Sequence, residues 1–188
     1  IKDLILDEFM RNLQEFHNLS EKKSIEAYSG LAFRQLKIDE YTQKNWNYIQ
    51  EKVFILSAFY GITCGTCKIK KHRLDFSIKL FEDVSLYKFW SEYVNSFFSE
   101  NETIINLASS EYSKLIDKKR VNFINIDFYE NRDLKQISAN SKKARGEMLN
   151  LLIKNQIENI EVIKTLKLKE YSYNRELSSN NNLVFIKD

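Results

Sequence analysis

The chain has 188 residues, with 29 Lys and Arg against 26 Asp and Glu for a formal net charge of +3, and 43 % hydrophobic residues that include 13 Phe, 10 Tyr and 2 Trp. This is a globular composition, long enough to bury an aromatic core within one domain. No apolar run approaches the roughly 18 residues that span a bilayer and no signal-peptide pattern opens the chain, so no membrane partner is expected.

There is no Pro and only 4 Gly, so loops rest on Asn, Asp, Ser and Lys. Leu6, Phe9, Met10, Leu13 and Phe16 follow helical spacing and predict a helix over residues 3–17. A short strand is expected over 24–29, closed by Gly30. Tyr41, Tyr48, Ile49 and Val53 mark a second helix, with Asp39 as its candidate N-cap. The run VFILSAFYG, ended by Gly61, reads as a buried strand. SLYKFWSEYVNSFF is the clearest helix: Leu86, Phe89, Trp90, Tyr93, Val94, Phe97 and Phe98 form one stripe, expected to be core. TIINLA predicts a buried strand, followed by a helical turn capped by Ser109 or Ser110. VNFINIDFYE predicts a strand, with residues 132–138 as its hairpin partner. A helix opens at SKKARG, with Ala144, Met148, Leu151 and Leu152 inward. A short helix is expected near 157–165, and the tail reads as strand, polar loop, strand. Interleaved helices and strands predict an α/β fold, one domain over residues 1–188 with a mixed sheet.

The basic excess falls in residues 114–188. Lys142, Lys143 and Arg145 crowd an expected helix start, where outward N–H groups and cations together suit a phosphate. Lys68, Lys70, Lys71 and Arg73 form a second basic group; Lys118, Lys119 and Arg120 form a third. Gathered in one cleft, they would track a nucleic-acid backbone. Asn106, Ser109, Glu111 and Tyr112 follow a strand end, where open α/β sheets bind ligands. Asn106 suits a base edge and Tyr112 a stacked base; Glu111 is the candidate acid or base of an enzyme. Ser178, Ser179 and Asn180 are candidates to face the same place. Cys64 and Cys67 are the only cysteines; their setting reads as reducing and cytoplasmic. With His72 alone nearby, they do not complete a zinc site, so no metal and no cofactor is expected. Tyr60 reads as a core or cleft-wall aromatic.

Seven segments in order, YSGLAFRQL, LSAFYGI, HRLDF, LYKFW, INLASSEY, SKKARGEM and SSNNNLVFIK, resemble the YaaA peroxide stress protein family. The resemblance runs from about residue 24 to the end. It implies a cytosolic protein that limits damage by peroxide and iron, with a positively charged cleft and a helix-hairpin-helix element that binds DNA. Arg73 gains weight because it falls inside a family motif. The family's opening strand and its Ser-Pro-Ala-Lys-Thr segment have no match here, and the first residue is Ile rather than Met, so the natural chain is expected to begin earlier. A helix-hairpin-helix needs glycines in its hairpin, and LSAFYG supplies only Gly61.

The expected function is therefore a monomeric DNA-binding protein of the hydrogen peroxide response, gripping duplex or distorted DNA. The rival is an enzyme acting on a nucleobase or damaged DNA through Glu111 or a lysine. The third reading is a thiol or metal protein centred on Cys64 and Cys67.

Overall fold

The computed structural model describes residues 7, 8, 10, 11, 13–79 and 85–187. Its centre is a four-stranded sheet in the order β5-β6-β8-β7, formed by β5 (Thr103–Asn106), β6 (Asn122–Tyr129), β8 (Asn182–Lys187) and β7 (Tyr171–Tyr173). β5, β6 and β8 run parallel, and β7 joins β8 antiparallel. Two antiparallel pairs lie outside this sheet: β1 (Glu21–Lys23) with β4 (Lys68–Lys70), and β2 (Phe54–Ser57) with β3 (Gly61–Cys64). The expected mixed-sheet α/β fold is what forms.

The helices, in chain order, are α1 (Ser24–Ala27), α2 (Gln43–Lys52), α3 (Leu86–Ser96), α4 (Ser110–Ser113), α5 (Ser138–Asn155) and α6 (Ile160–Thr165). Their ends have local causes. Thr42 caps α2 in a reciprocal capping box with Asn45, so Asp39 is not the cap; it sits in a preceding single 3-10 turn. Ser85 caps α3 and Asn159 caps α6 through side-chain oxygens. Gln156, at φ 51°, ends α5, and the Ile157 amide donates back to Leu152.

Three apolar clusters divide the interior. One joins α2 to Ile25, Leu36, Ile55 and Ile153. The second packs α3 on the β2–β3 hairpin and on Leu115, Ile116 and Phe123. The third sets Ala144, Met148 and Leu152 of α5 against Ile124, Ile126 and Phe128 of β6 and Leu183 and Phe185 of β8. Strand alternation does the rest: with even-numbered β6 residues under α5, Asn125 and Asp127 must face the other way.

Several local expectations fail for physical reasons. Residues 24–27 are helical, because the turn at 64–67 supplies acceptors for their free donors: Ser24 N–H reaches Cys67 O at 2.8 Å and Ile25 N–H reaches Gly65 O at 3.0 Å. Residues 132–137 make no strand; Leu134 takes φ 57° and the Glu130 amide closes the loop on Lys135 O. α5 begins at Ser138, three residues before the SKKARG segment. Of the α3 stripe, Leu86, Val94 and Phe98 are buried, but Phe89, Tyr93 and Phe97 are 53 %, 49 % and 45 % exposed, so the stripe is wider than its cover. Described residues within 7–14 are helical, with Met10 and Leu13 exposed; Leu6 and Phe9 lie outside the described residues. LSAFYG is the turn of a β-hairpin, not a helix-hairpin-helix. Gly61 adopts φ 71° with the Trp90 ring against it, at 2.6 Å from where a Cβ would stand.

Candidate functional site

The polar face of the parallel sheet carries a row of three asparagines. Asn106 ends β5, Asn125 lies within β6 and Asn182 opens β8, and strand register sets them side by side. Their amides hydrogen-bond in one direction: Asn106 Nδ2 donates to Asn125 Oδ1 at 2.7 Å, and Asn125 Nδ2 donates to Asn182 Oδ1 at 3.2 Å. Asn106 is buried, and it also exchanges bonds with both backbone groups of Ala108. Such a row is rigid because each member fixes the next.

Beside this row opens a cavity of about 460 Å³, lined by Asn125, Asn182, Asp127, Arg145, Lys118 and Ser110 among others. Arg145 arrives there by a specific route. β5 pairs with β6 only as far as Asn125, so the later part of β6 has no strand on that side. There Ser141 Oγ donates to Phe128 O at 3.1 Å and pins the first turns of α5 to the strand. Arg145 lies one turn further along the same helix face and lines the cavity that Asp127 also lines. Gly146 sets the depth of this docking, because a Cβ there would stand 2.0 Å from Ala32 O. Thus YSGLAFRQL and SKKARGEM, far apart in sequence, meet backbone to helix.

Arg145 is half-buried. Burial pushes its ionisation below the usual arginine value and the Asp127 charge pulls it back; a guanidinium stays charged regardless. Among the described residues neither Arg145 nor Asp127 joins an ion pair, and the Arg145 guanidinium donates no hydrogen bond. Asp127 has one long contact, from Tyr129 Oη to Oδ2 at 3.5 Å. Lys118 Nζ lies 4.6 Å from the centre of the Phe123 ring, a cation–π contact at the cavity wall.

The other predicted residues scatter. Lys142 and Lys143 are exposed in the second turn of α5, beyond the helix's free N–H groups, so the expected helix-start phosphate site does not form. Arg73 is exposed and pairs with Glu8 at 3.3 Å. Lys119 is exposed, its amide bound to Asp117. Ser109 precedes α4 without a side-chain cap. Glu111 is exposed, and only its carbonyl is engaged, by Tyr87 Oη. Tyr112 packs edge-on to Phe76, and burial followed by the Glu111 charge holds its phenol up at about 12. Ser178 braces its own loop through Asn174 O and the Val184 amide, and Ser179 bridges to Asn182; the adjacent Asn181 and Asn182 line the cavity instead. Sequence reading missed Asn125, Asp127 and Asn182. The available signal is Asn125 and Asp127 at alternate positions in the apolar middle of a strand.

A second polar cluster is closed on itself. His72 Nδ1 donates to Lys70 O at 3.1 Å, which leaves Nε2 to accept from Ser57 Oγ at 3.2 Å and to face Tyr28 Oη at 3.5 Å. Ser57 Oγ in turn accepts the Phe59 and Tyr60 amides. Burial lowers the His72 pKa, partly offset by the bond to Lys70 O, and burial raises the Tyr28 phenol to about 12. Tyr60 Oη accepts the Lys70 amide, in keeping with a wall aromatic.

Cys64 and Cys67 form a disulfide across the turn that follows β3. The expectation was of reduced thiols; bonded to each other, the two sulfurs offer neither a dithiol nor metal ligands. Among the described residues no group of His, Cys, Asp or Glu converges to hold a metal, and no helix is long and apolar enough to cross a membrane.

Comparison with known proteins follows the same lines. A family model described as "Peroxide stress protein YaaA" matches residues 1–177, beginning well before the quoted motifs do. The chain is 38 % identical to a UPF0246 protein of Fusobacterium nucleatum subsp. nucleatum, with 98 % of this chain and 77 % of that protein covered. It is 35 % identical to UPF0246 proteins of Rickettsia felis, covering 93 % and 74 %, and of Francisella philomiragia subsp. philomiragia, covering 92 % and 72 %.

Proposed function

From the premise that the chain belongs to the YaaA peroxide stress protein family, we propose that it serves that response by gripping distorted DNA, with an unpaired nucleotide seated in the cavity of the parallel sheet. The observation that carries this is the half-buried, unpartnered Arg145 guanidinium lining that cavity. Its N–H donors are used by no acceptor of the described residues and remain open to the cavity, so an acceptor-rich ligand can take them as charge-assisted bonds. About 460 Å³ suits one nucleotide rather than a duplex. Lys118, at the cavity wall, and Lys119 beside it are placed to meet the flanking phosphates, which gives affinity without base preference. Arg73, Lys142 and Lys143 lie outside the cavity lining and serve at most the longer backbone path. A DNA partner implies a cytoplasmic working place.

The rival enzyme reading calls on Glu111 or a lysine; the cavity lining leaves out Glu111 and includes Lys118, which sits against the Phe123 ring. The test is fluorescence anisotropy with labelled DNA, intact or carrying one bulged nucleotide, from 50 to 200 mM salt. Affinity is expected to fall steeply with salt, to favour the bulge, and to drop at least about tenfold in Arg145→Gln, the scale of a lost hydrogen bond to a charged group. Salt-indifferent affinity, or wild-type binding by Arg145→Gln, overturns it.

A further inference from the structure

Resting on that nucleotide reading, we infer that the base taken into the cavity is guanine-type. Two opposed requirements meet in one hollow. Asp127 offers only acceptors, and one oxygen has no partner among the described residues while the other has only the long Tyr129 contact. Arg145 offers only donors, none of them used by another described residue. Both line the cavity, yet they stand too far apart to pair with each other.

A bare phosphate fits poorly, because the Asp127 carboxylate repels it. A bare cation fits poorly, because Arg145 and Lys118 repel it. The ligand must carry neighbouring donors on one edge and neighbouring acceptors on another. Thymine has a single N–H. Adenine presents one amino group between two ring acceptors, and cytosine one amino group beside a single ring acceptor. Guanine alone has two adjacent donors, N1–H and N2–H, which one carboxylate can take together. It also has two adjacent acceptors, O6 and N7, which the guanidinium fork matches. Asn125 and Asn182 lie along the same floor, already oriented by their amide row.

The experiment measures the wild-type chain binding to DNA with one bulged residue, varied among G, A, C, T, inosine and 7-deazaguanine at fixed salt. Inosine lacks only the N2 amino group and 7-deazaguanine lacks only N7. Guanine is expected to bind about tenfold tighter than the other three natural bases, with both analogues losing part of that margin, on the scale of one bidentate base contact. In Asp127→Asn the gap between guanine and inosine should close; in Arg145→Met, which has no donor for N7, the gap between guanine and 7-deazaguanine should close. The analogue series needs no variant, so a misfolded mutant leaves the test intact. Tight, salt-steep binding that is equal for every base sinks the guanine assignment and leaves the DNA reading standing. Absence of binding to all of these DNAs sinks both.

Discussion

Two of the polar clusters among the described residues, around His72 and beside the asparagine row, end differently. Around His72 each donor finds an acceptor within the chain: Nδ1 to Lys70 O, Ser57 Oγ to Nε2, and two backbone amides to Ser57 Oγ. Around the asparagine row the amides bond to one another, but among the described residues the two charged groups beside it, Arg145 and Asp127, form no ion pair, and Asp127 has only the long Tyr129 contact. A saturated cluster fixes structure, since nothing in it has bonding capacity to give. A cluster with surplus charge of both signs is half of an interaction. Titratable residue types alone do not separate the two cases; what separates them is whether the chain itself has already used the donors and acceptors.

The most forceful way to break this contrast is at Gly146. A Cβ there would stand 2.0 Å from the oxygen and 2.7 Å from the carbonyl carbon of Ala32, both backbone atoms that cannot swing aside. Gly146→Ala is expected to cost ~3 kcal/mol, as overpacking against an unyielding neighbour does, and to displace the adjacent Arg145. Both thermal stability and DNA affinity should fall together. Wild-type melting in this variant would mean that the seating of α5 on residues 31–35 is loose, and with it the position of the cavity's guanidinium.

That contact also shows what the sequence could and could not reveal. α3 is legible because its apolar spacing is helical over 11 residues, and β6 because alternation holds from Ile124 to Phe128 despite the adjacent buried Phe123. α1 is not, because four residues carry no period; its donors are satisfied by a turn some 40 positions away, as the bond from Ser24 Oγ to Cys64 O illustrates. The start of α5 is hidden because Ile137, at its N-cap, makes no side-chain cap. Arg145 stands out within SKKARG, but Lys142 and Lys143 look equivalent to it until helix phase and the pinning bond from Ser141 pick one cation of the three. Asn125 and Asp127 read as the wet side of a strand, which they are; that this side is walled into a cavity depends on α5, β8 and the residues after β5, all distant in sequence.

The His72 cluster sharpens the contrast from its other side. The folded pKa of His72 lies below the ordinary 6.5 because burial disfavours the imidazolium. The unfolded chain therefore takes the proton first as pH falls. Stability from this residue is full above about pH 6.5 and is lost as pH drops through the depressed folded value. His72→Gln keeps a donor and an acceptor without titrating. It should cost about 1–2 kcal/mol at pH 8 through imperfect bonds, melt with a shallower dependence between pH 7 and 5 than the wild type, and leave DNA affinity unchanged. Melting curves and anisotropy on the same preparation measure both. Loss of binding at full stability would make the cluster part of the DNA site and erase the distinction.

The smallest effect expected is at the lysines that first attract the eye. Lys142 and Lys143 are exposed and unconstrained by the cavity, so any work they do is on phosphates outside it. Each phosphate contact adds about 0.9 to the slope of log affinity against log salt. Lys142→Gln/Lys143→Gln should flatten that slope by up to roughly two units and leave the preference among bulged bases unaltered, with stability within about 0.5 kcal/mol of wild type. Arg145→Gln, by contrast, is expected to weaken the proposed contact to the base. Neutralising the lysines changes how affinity responds to salt; neutralising the arginine changes which base is held. If the lysine pair instead abolished the base preference, recognition would lie on the outer face of α5 rather than in the hollow beneath it.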